Sequence, residues 1–278
     1  ASLRHDGSGE QPGIKRNGAW DERPHASRVQ RVNIRTLREW QQILGDYNPD
    51  PLTVFMVHEI NSDTRSVLRT LSSAQRLGQL RLDSSSGWHQ TADRKRGRFV
   101  QQWGEPSCWE DVIIQGGHLH VANPFAGQPN ETLRNQRDWA PVDLETLDSS
   151  AIPVTEFKPS GNRADYDAKY GLWDRGPARA SYRVAWRAMA DGSGVRTLFP
   201  AIIPPGAAHV HGVNSASPED ESLLPLVAGA MSSILNDLAI RVSQKSALTV
   251  DSVKRLFVPD IDHPLIPRLT LRVLRLNC

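Results

Sequence analysis

The chain has 278 residues, of which 38% are hydrophobic and 23% charged, with a formal net charge of +2; this suits one large or two smaller globular domains with a true core. No apolar run approaches the roughly 20 residues of a bilayer span, and the polar start "ASLRHDGSGEQPG" lacks the apolar stretch of a signal peptide. Two cysteines, Cys108 and Cys278, exclude a disulfide framework, so a reducing cytoplasm and no membrane partner are expected.

Residues 1–30 lack periodicity and read as linker or disordered chain. Residues 31–110 read as a helical connecting region. Its first helix spans 33–46, with Ile34, Leu37, Trp40, Ile43 and Leu44 at helical spacing and Gly45 as its stop. A short apolar run follows at 51–60. A second helix is predicted over 63–80, capped by Asp63 or Ser62. The stretch "GWHQTADRKRGRFVQQWGEP" (87–106) carries the densest basic run, Arg94, Lys95, Arg96 and Arg98, interleaved with Trp88, Phe99 and Trp103.

Residues 111–278 read as the main domain. "DVIIQGGHLHVANPF" (111–125) suggests strand, Gly-Gly turn and strand, and "AIPVTEFKP" (151–159) another strand. "SYRVAWRAMADGSGVRTLFPAIIPPG" (181–206) reads as a hairpin with its turn at 191–194. Arg183 and Arg187 fall on one strand face there, with Tyr182, Val184 and Trp186 on the other. Residues 217–245 read as one helix: Ser217 caps, Pro218 begins, and Leu224, Val227, Met231, Ile234 and Leu238 form its apolar stripe. The final pattern, "PRLTLRVLRLNC", is amphipathic without a stop signal, and both ends of the chain read as cut from a longer protein. The mixture predicts an α+β fold, a mixed but mostly antiparallel sheet with flanking helices.

Three patterns raise the question of catalysis. The His-x-His pairs His118/His120 and His209/His211 would each share a strand face, as metal ligands do. Glu156 and Lys158, with Asp148 upstream, resemble in spacing the acid and lysine of metal-dependent nucleases. These two patterns carry the alternative reading, a metal-dependent hydrolase. Asn123-Pro124-Phe125 lacks the second proline of the loop that grips a flipped adenine. No Gly-rich cofactor loop, Walker loop or nucleophile elbow is present. The chain is therefore expected to bind no cofactor and to perform no chemistry of its own.

The basic surface points instead to phosphate or groove contacts, or to a protein scaffold if nucleic acid does not bind. Here a family resemblance enters. "YRVAWRAMADGSGVRTLFPAIIPPG" resembles the arginine-rich hairpin in the C-terminal region of bacterial adenine-specific DNA methyltransferases. These are the type IIG restriction–modification enzymes and the methylases of BREX and DISARM phage defence. "GWHQTADRKRGRF", "IIQGGHLHVANPFAGQPN", "SSAIPVTEFKP" and "LVAGAMSSILNDLAIRV…LTVDSVKRLFVPDID" are similar in order and spacing, over about residues 50–278. The resemblance implies a target-recognition domain, truncated at its C-terminus, that reads double-stranded DNA. It also implies an upstream methyltransferase domain of the same polypeptide, which would bind S-adenosylmethionine. The expected DNA contacts are Arg94, Lys95, Arg96, Arg98, Arg183, Arg187, Arg196 and Thr197.

Overall fold

The computed structural model describes residues 9–58, 60–119, 123–132, 138–190, 194, 196–243 and 245–277. They fall into two compact units, drawn from Ala1–Gln75 with Leu238–Lys245, and from Arg76–Asp237 with Ser246–Cys278. The units divide inside the segment 31–110 that the sequence assigned to a connecting region.

In the first unit, β1 (Lys15–Arg16) and β2 (Ala19–Trp20) form a hairpin. Asn17 and Gly18 take left-handed φ of 51° and 81° at its tip, as a two-residue hairpin turn requires. The residues read as linker thus include a folded element. α1 (Ile34–Leu44) starts at Asn33, whose side chain accepts the amides of Arg35 and Thr36, and stops at Gly45 with φ 58°. α2 (Ser62–Ser72) is shorter than the sequence suggested. Asn61, not Asp63 or Ser62, is its cap, in a reciprocal pair with Thr64. Trp40, Ile43, Val57, Leu68 and Val242 form the unit's core.

The second unit begins with β3 (Leu82–Ser85), α3 (Gln90–Lys95), β4 (Phe99–Gly104) and β5 (Ile113–Ile114). β6 (Gly127–Pro129), β7 (Trp139–Pro141), β8 (Thr155–Pro159), α4 (Arg163–Tyr170), β9 (Leu172–Trp173) and β10 (Gly176–Pro177) follow. Then come β11 (Arg183–Arg187), β12 (Ala201–Ile203), β13 (Ala208–His209) and β14 (Val213–Pro218). The last elements are α5 (Leu224–Met231), α7 (Val250–Lys254) and α8 (Ile266–Asn277), while α6 (Ile234–Val242) is shared, its residues from Leu238 onward belonging to the first unit. Among the described residues all strand pairs are antiparallel except β13 with β5, and the fold is α+β.

The main sheet runs β12-β11-β14-β3. β11 pairs with β12 from Arg183↔Ile203 and with β14 from Val184↔Ala216. The predicted strands therefore pair, with 188–200 between them, and the predicted turn at 191–194 lies, apart from Gly194, outside the described residues. α5 lies against β11, β12 and β14. Ala185 joins Ile114, Leu119, Ile203 and Val213 in a core on the opposite face. Both faces of β11 are thus covered, and the expected split into one packed and one DNA-facing side does not occur.

The predicted 217–245 helix is also revised. Ser217 and Pro218 are buried in β14, paired with Asp83 and Leu82. The helical region starts later, where Asp220 accepts the Ser222 amide and Pro225 enters the first turn of α5. It then breaks at Ser232–Ser233, with a 62° bend before α6. Among the described residues no single helix is long and apolar enough to cross a membrane.

Candidate nucleic-acid interface

The basic run folds as a compact ridge. His89 caps α3, its Nδ1 accepting the Ala92 amide, while the Asp93 carboxylate accepts the His89 amide at 2.8 Å. Gly97, at φ +71°, ends the helix and turns the chain so that the Arg98 amide reaches the Asp93 carbonyl. Arg94, Lys95 and Arg96 are exposed around this turn, where cations also favour the helix C-terminus. Arg96 pairs with Asp93 at 2.9 Å and Arg98 with Asp165 at 2.8 Å. Arg94 donates to the neutral amide of Gln101 at 3.3 Å. Among the described residues, neither Arg94 nor Lys95 has a carboxylate partner.

The ridge stands on a rigid base. Trp88, Phe99, Phe157, Tyr166 and Tyr170 form the core below it. The Trp88 indole donates to Tyr166 Oη at 2.7 Å, and Phe99 meets Phe157 edge-on at 5.2 Å. β4 continues from the ridge, pairing with β8, and exposes Val100, Gln101, Gln102 and Trp103. A cavity of about 140 Å³ opens beside it, between Trp103, Glu105, Ser107, Thr155 and Lys158.

The other expected contacts are placed differently. Arg183 is fully buried: its guanidinium donates to the Ala207 carbonyl and to Tyr170 Oη, and burial pushes its pKa down. It has no surface to offer a phosphate. Thr197 is buried too, its amide and hydroxyl both held at 2.6 Å by Asp237. Arg196 donates to the Ser232 carbonyl at 2.6 Å, and its Nε lies 3.4 Å from Asp237 without hydrogen-bond geometry. Arg187 is half-buried and already engaged. Of the eight residues expected at DNA, Arg94, Lys95, Arg96 and Arg98 form one continuous surface; Arg183, Arg187, Arg196 and Thr197 are held by the interior or its margin.

The histidines do not assemble as the spacing suggested. His118 is buried; its Nδ1 accepts the Gln115 amide and its Nε2 donates to the Val154 carbonyl, so neither nitrogen is open to a metal. His120 lies outside the described residues. His209 is buried against Ser215, while His211 is exposed and stacks near His89. Among the described residues no three His, Cys, Asp or Glu side chains cluster as metal ligands. Glu156 and Lys158 do lie on a strand, β8, but Glu156 is occupied by the amides of Gln101 and Gln115. Asp148 turns back on Ser150, whose hydroxyl and amide hold its carboxyl below the usual carboxylate range. Asn123 accepts the Ala126 amide through its carbonyl in a turn that puts Phe125 at φ 63° beside His118. No protein-family model matches the chain, and no curated protein matches it.

Proposed function

We propose that the second unit is a double-stranded DNA-binding module, the target-recognition part of an adenine-N6 methyltransferase or a methyltransferase–nuclease fusion acting in the cytoplasm. In this reading S-adenosylmethionine and the transfer chemistry belong to a methyltransferase domain outside this chain. The observation that carries it is the Arg94–Lys95–Arg96–Arg98 ridge: four cations on one turn, two of them without a carboxylate partner among the described residues, seated on an aromatic core. The motif resemblance along 50–278 supplies the methyltransferase context. Arg183 and Thr197, being buried, are assigned to the fold.

Four phosphate contacts give a logarithmic salt slope of about −3.6, or roughly a 150-fold loss of affinity between 50 and 200 mM salt. The test is duplex binding across that range for the wild type and an Arg94→Ala/Lys95→Ala/Arg96→Ala variant. The slope is expected to fall to about −1 in the variant. A wild-type slope near zero, or an unchanged variant slope, rejects the ridge as the phosphate grip.

A further inference from the structure

The hairpin β1–β2 has an anchored base and an exposed tip. At the base, the buried carboxylate of Asp21 accepts Arg23 Nε at 2.8 Å, Arg23 Nη2 at 2.7 Å, the Gly13 amide at 3.2 Å and the Arg23 amide at 3.3 Å. Asn61, the cap of α2, donates to the Pro12 carbonyl at 2.9 Å, and Arg28 donates to the Gly13 carbonyl at 2.9 Å. These bonds fix the strands where they leave the first unit. From Lys15 to Trp20 every residue is exposed. Trp20 keeps 54% of its surface in solvent, and Lys15 Nζ sits 5.1 Å from its ring centroid. The Lys15↔Trp20 and Arg16↔Ala19 register puts Lys15 and Trp20 on one face and Arg16 on the other. No acid lies between Lys15 and Trp20.

An exposed aromatic ring beside cations is the kind of surface on which an unpaired base stacks while its phosphates are held. The chemistry of this tip selects that partner: a planar indole offers a stacking surface, and two flanking cations suit phosphates on either side. Paired bases inside a duplex are stacked on one another and give the ring no face. We propose that the Lys15–Trp20 hairpin binds single-stranded nucleic acid, stacking one unpaired base on Trp20 and holding adjacent phosphates with Lys15 and Arg16. This element belongs to the first unit and does not depend on the duplex reading of the second.

The test uses the full chain and fluorescently labelled 15-nucleotide oligothymidine and oligouridine, read by anisotropy at low salt. Trp20→Ala is expected to weaken oligothymidine binding about 10-fold, within the span of one base–aromatic stack, while Trp20→Phe retains most of it. Lys15→Ala/Arg16→Ala is expected to flatten the salt slope by about 1.4. The Arg94→Ala/Lys95→Ala/Arg96→Ala variant should bind the single strand as the wild type does. Equal loss with oligouridine assigns the site to single strands of either sugar; loss with oligothymidine alone assigns it to DNA. Because residues 15–20 are exposed, unchanged thermal unfolding should accompany these variants. Undetectable single-strand binding, or a Trp20→Ala chain that binds like the wild type, overturns the proposal. Loss in the ridge variant with Trp20→Ala unaffected overturns it also, and leaves the duplex reading standing.

Discussion

His118 and Val154 are joined through the interior: the imidazole Nε2 donates to the Val154 carbonyl at 2.9 Å, while Nδ1 accepts the Gln115 amide at 3.0 Å. Burial pushes the His118 pKa down to about 4. His209 is pushed down to about 3, by burial first and then by the Arg183 charge. An unfolded histidine takes its proton near pH 6.5. Between that value and the depressed folded value the unfolded chain binds more protons, so stability is fully present above about pH 6.5 and falls as the pH drops. Two such groups give a slope of roughly 2 kcal/mol per pH unit between pH 6 and 4. Urea unfolding at pH 7, 6 and 5 should show the midpoint falling steadily. His118→Gln should remove about half of that slope; a slope that survives intact would place the titration elsewhere.

Asp237 is the acceptor for a chain segment that has no strand to pair with. Its Oδ1 takes the Thr197 amide, the Thr197 hydroxyl and, at 3.3 Å, the Leu198 amide. Asp237→Ala leaves buried donors without an acceptor and is expected to cost about 3 kcal/mol. Asp237→Asn retains one acceptor oxygen and should cost less. Chemical denaturation of both variants checks the order, and an alanine no worse than the asparagine contradicts it.

Local signals were legible where they acted locally. The 3.6-residue spacing of Leu37, Trp40 and Ile43, with Asn33 and Gly45 at the ends, marks α1 because caps and periodicity lie within one helix. Ser217-Pro218 carries an equally good helix-start pattern, yet its backbone pairs with Asp83 and Leu82, far away in sequence, and that pairing wins. The alternation in β11 was legible too, but the layers that cover both its faces come from Ile114, Leu119 and α5. Alternation alone cannot reveal a second cover. The basic turn at 94–98 was found because it is a surface run. The Asn17-Gly18 turn, a strong hairpin signal, was hidden inside a polar stretch read by composition.

Arg183 separates a folding role from a binding one. Its donors are spent on Ala207, Ser181 and Tyr170, and its guanidinium lies 5.8 Å from the Tyr170 ring centroid. Arg183→Ala empties a buried site and strips the Ala207 carbonyl, at a cost of about 3 kcal/mol. Thermal unfolding should register this, while the duplex affinity of the folded fraction stays at the wild-type value. Loss of affinity without loss of stability would return Arg183 to the DNA-facing set.

Gly87 and Gly97 offer a controlled pair, because their backbones are alike and their surroundings are not. Their φ angles are +70° and +71°, so alanine meets the same left-handed strain at both, about 1 kcal/mol. A Cβ on Gly97 would meet nothing within 4 Å. One on Gly87 would lie 2.2 Å from the His209 carbonyl oxygen and 2.3 Å from its Nδ1. Neither atom can withdraw: the carbonyl accepts the Trp88 amide at 2.9 Å, and the ring is buried between Ser215 and Tyr170. Gly97→Ala should therefore cost only the strain, and Gly87→Ala about 3 kcal/mol or more. At this chain length that difference lowers Tm by about 4–8 °C more for Gly87→Ala. Equal shifts for the two variants would mean that the segment 86–88 moves away from His209 at little cost. The core at the foot of the ridge would then be softer than its aromatic packing and the Trp88–Tyr166 hydrogen bond imply.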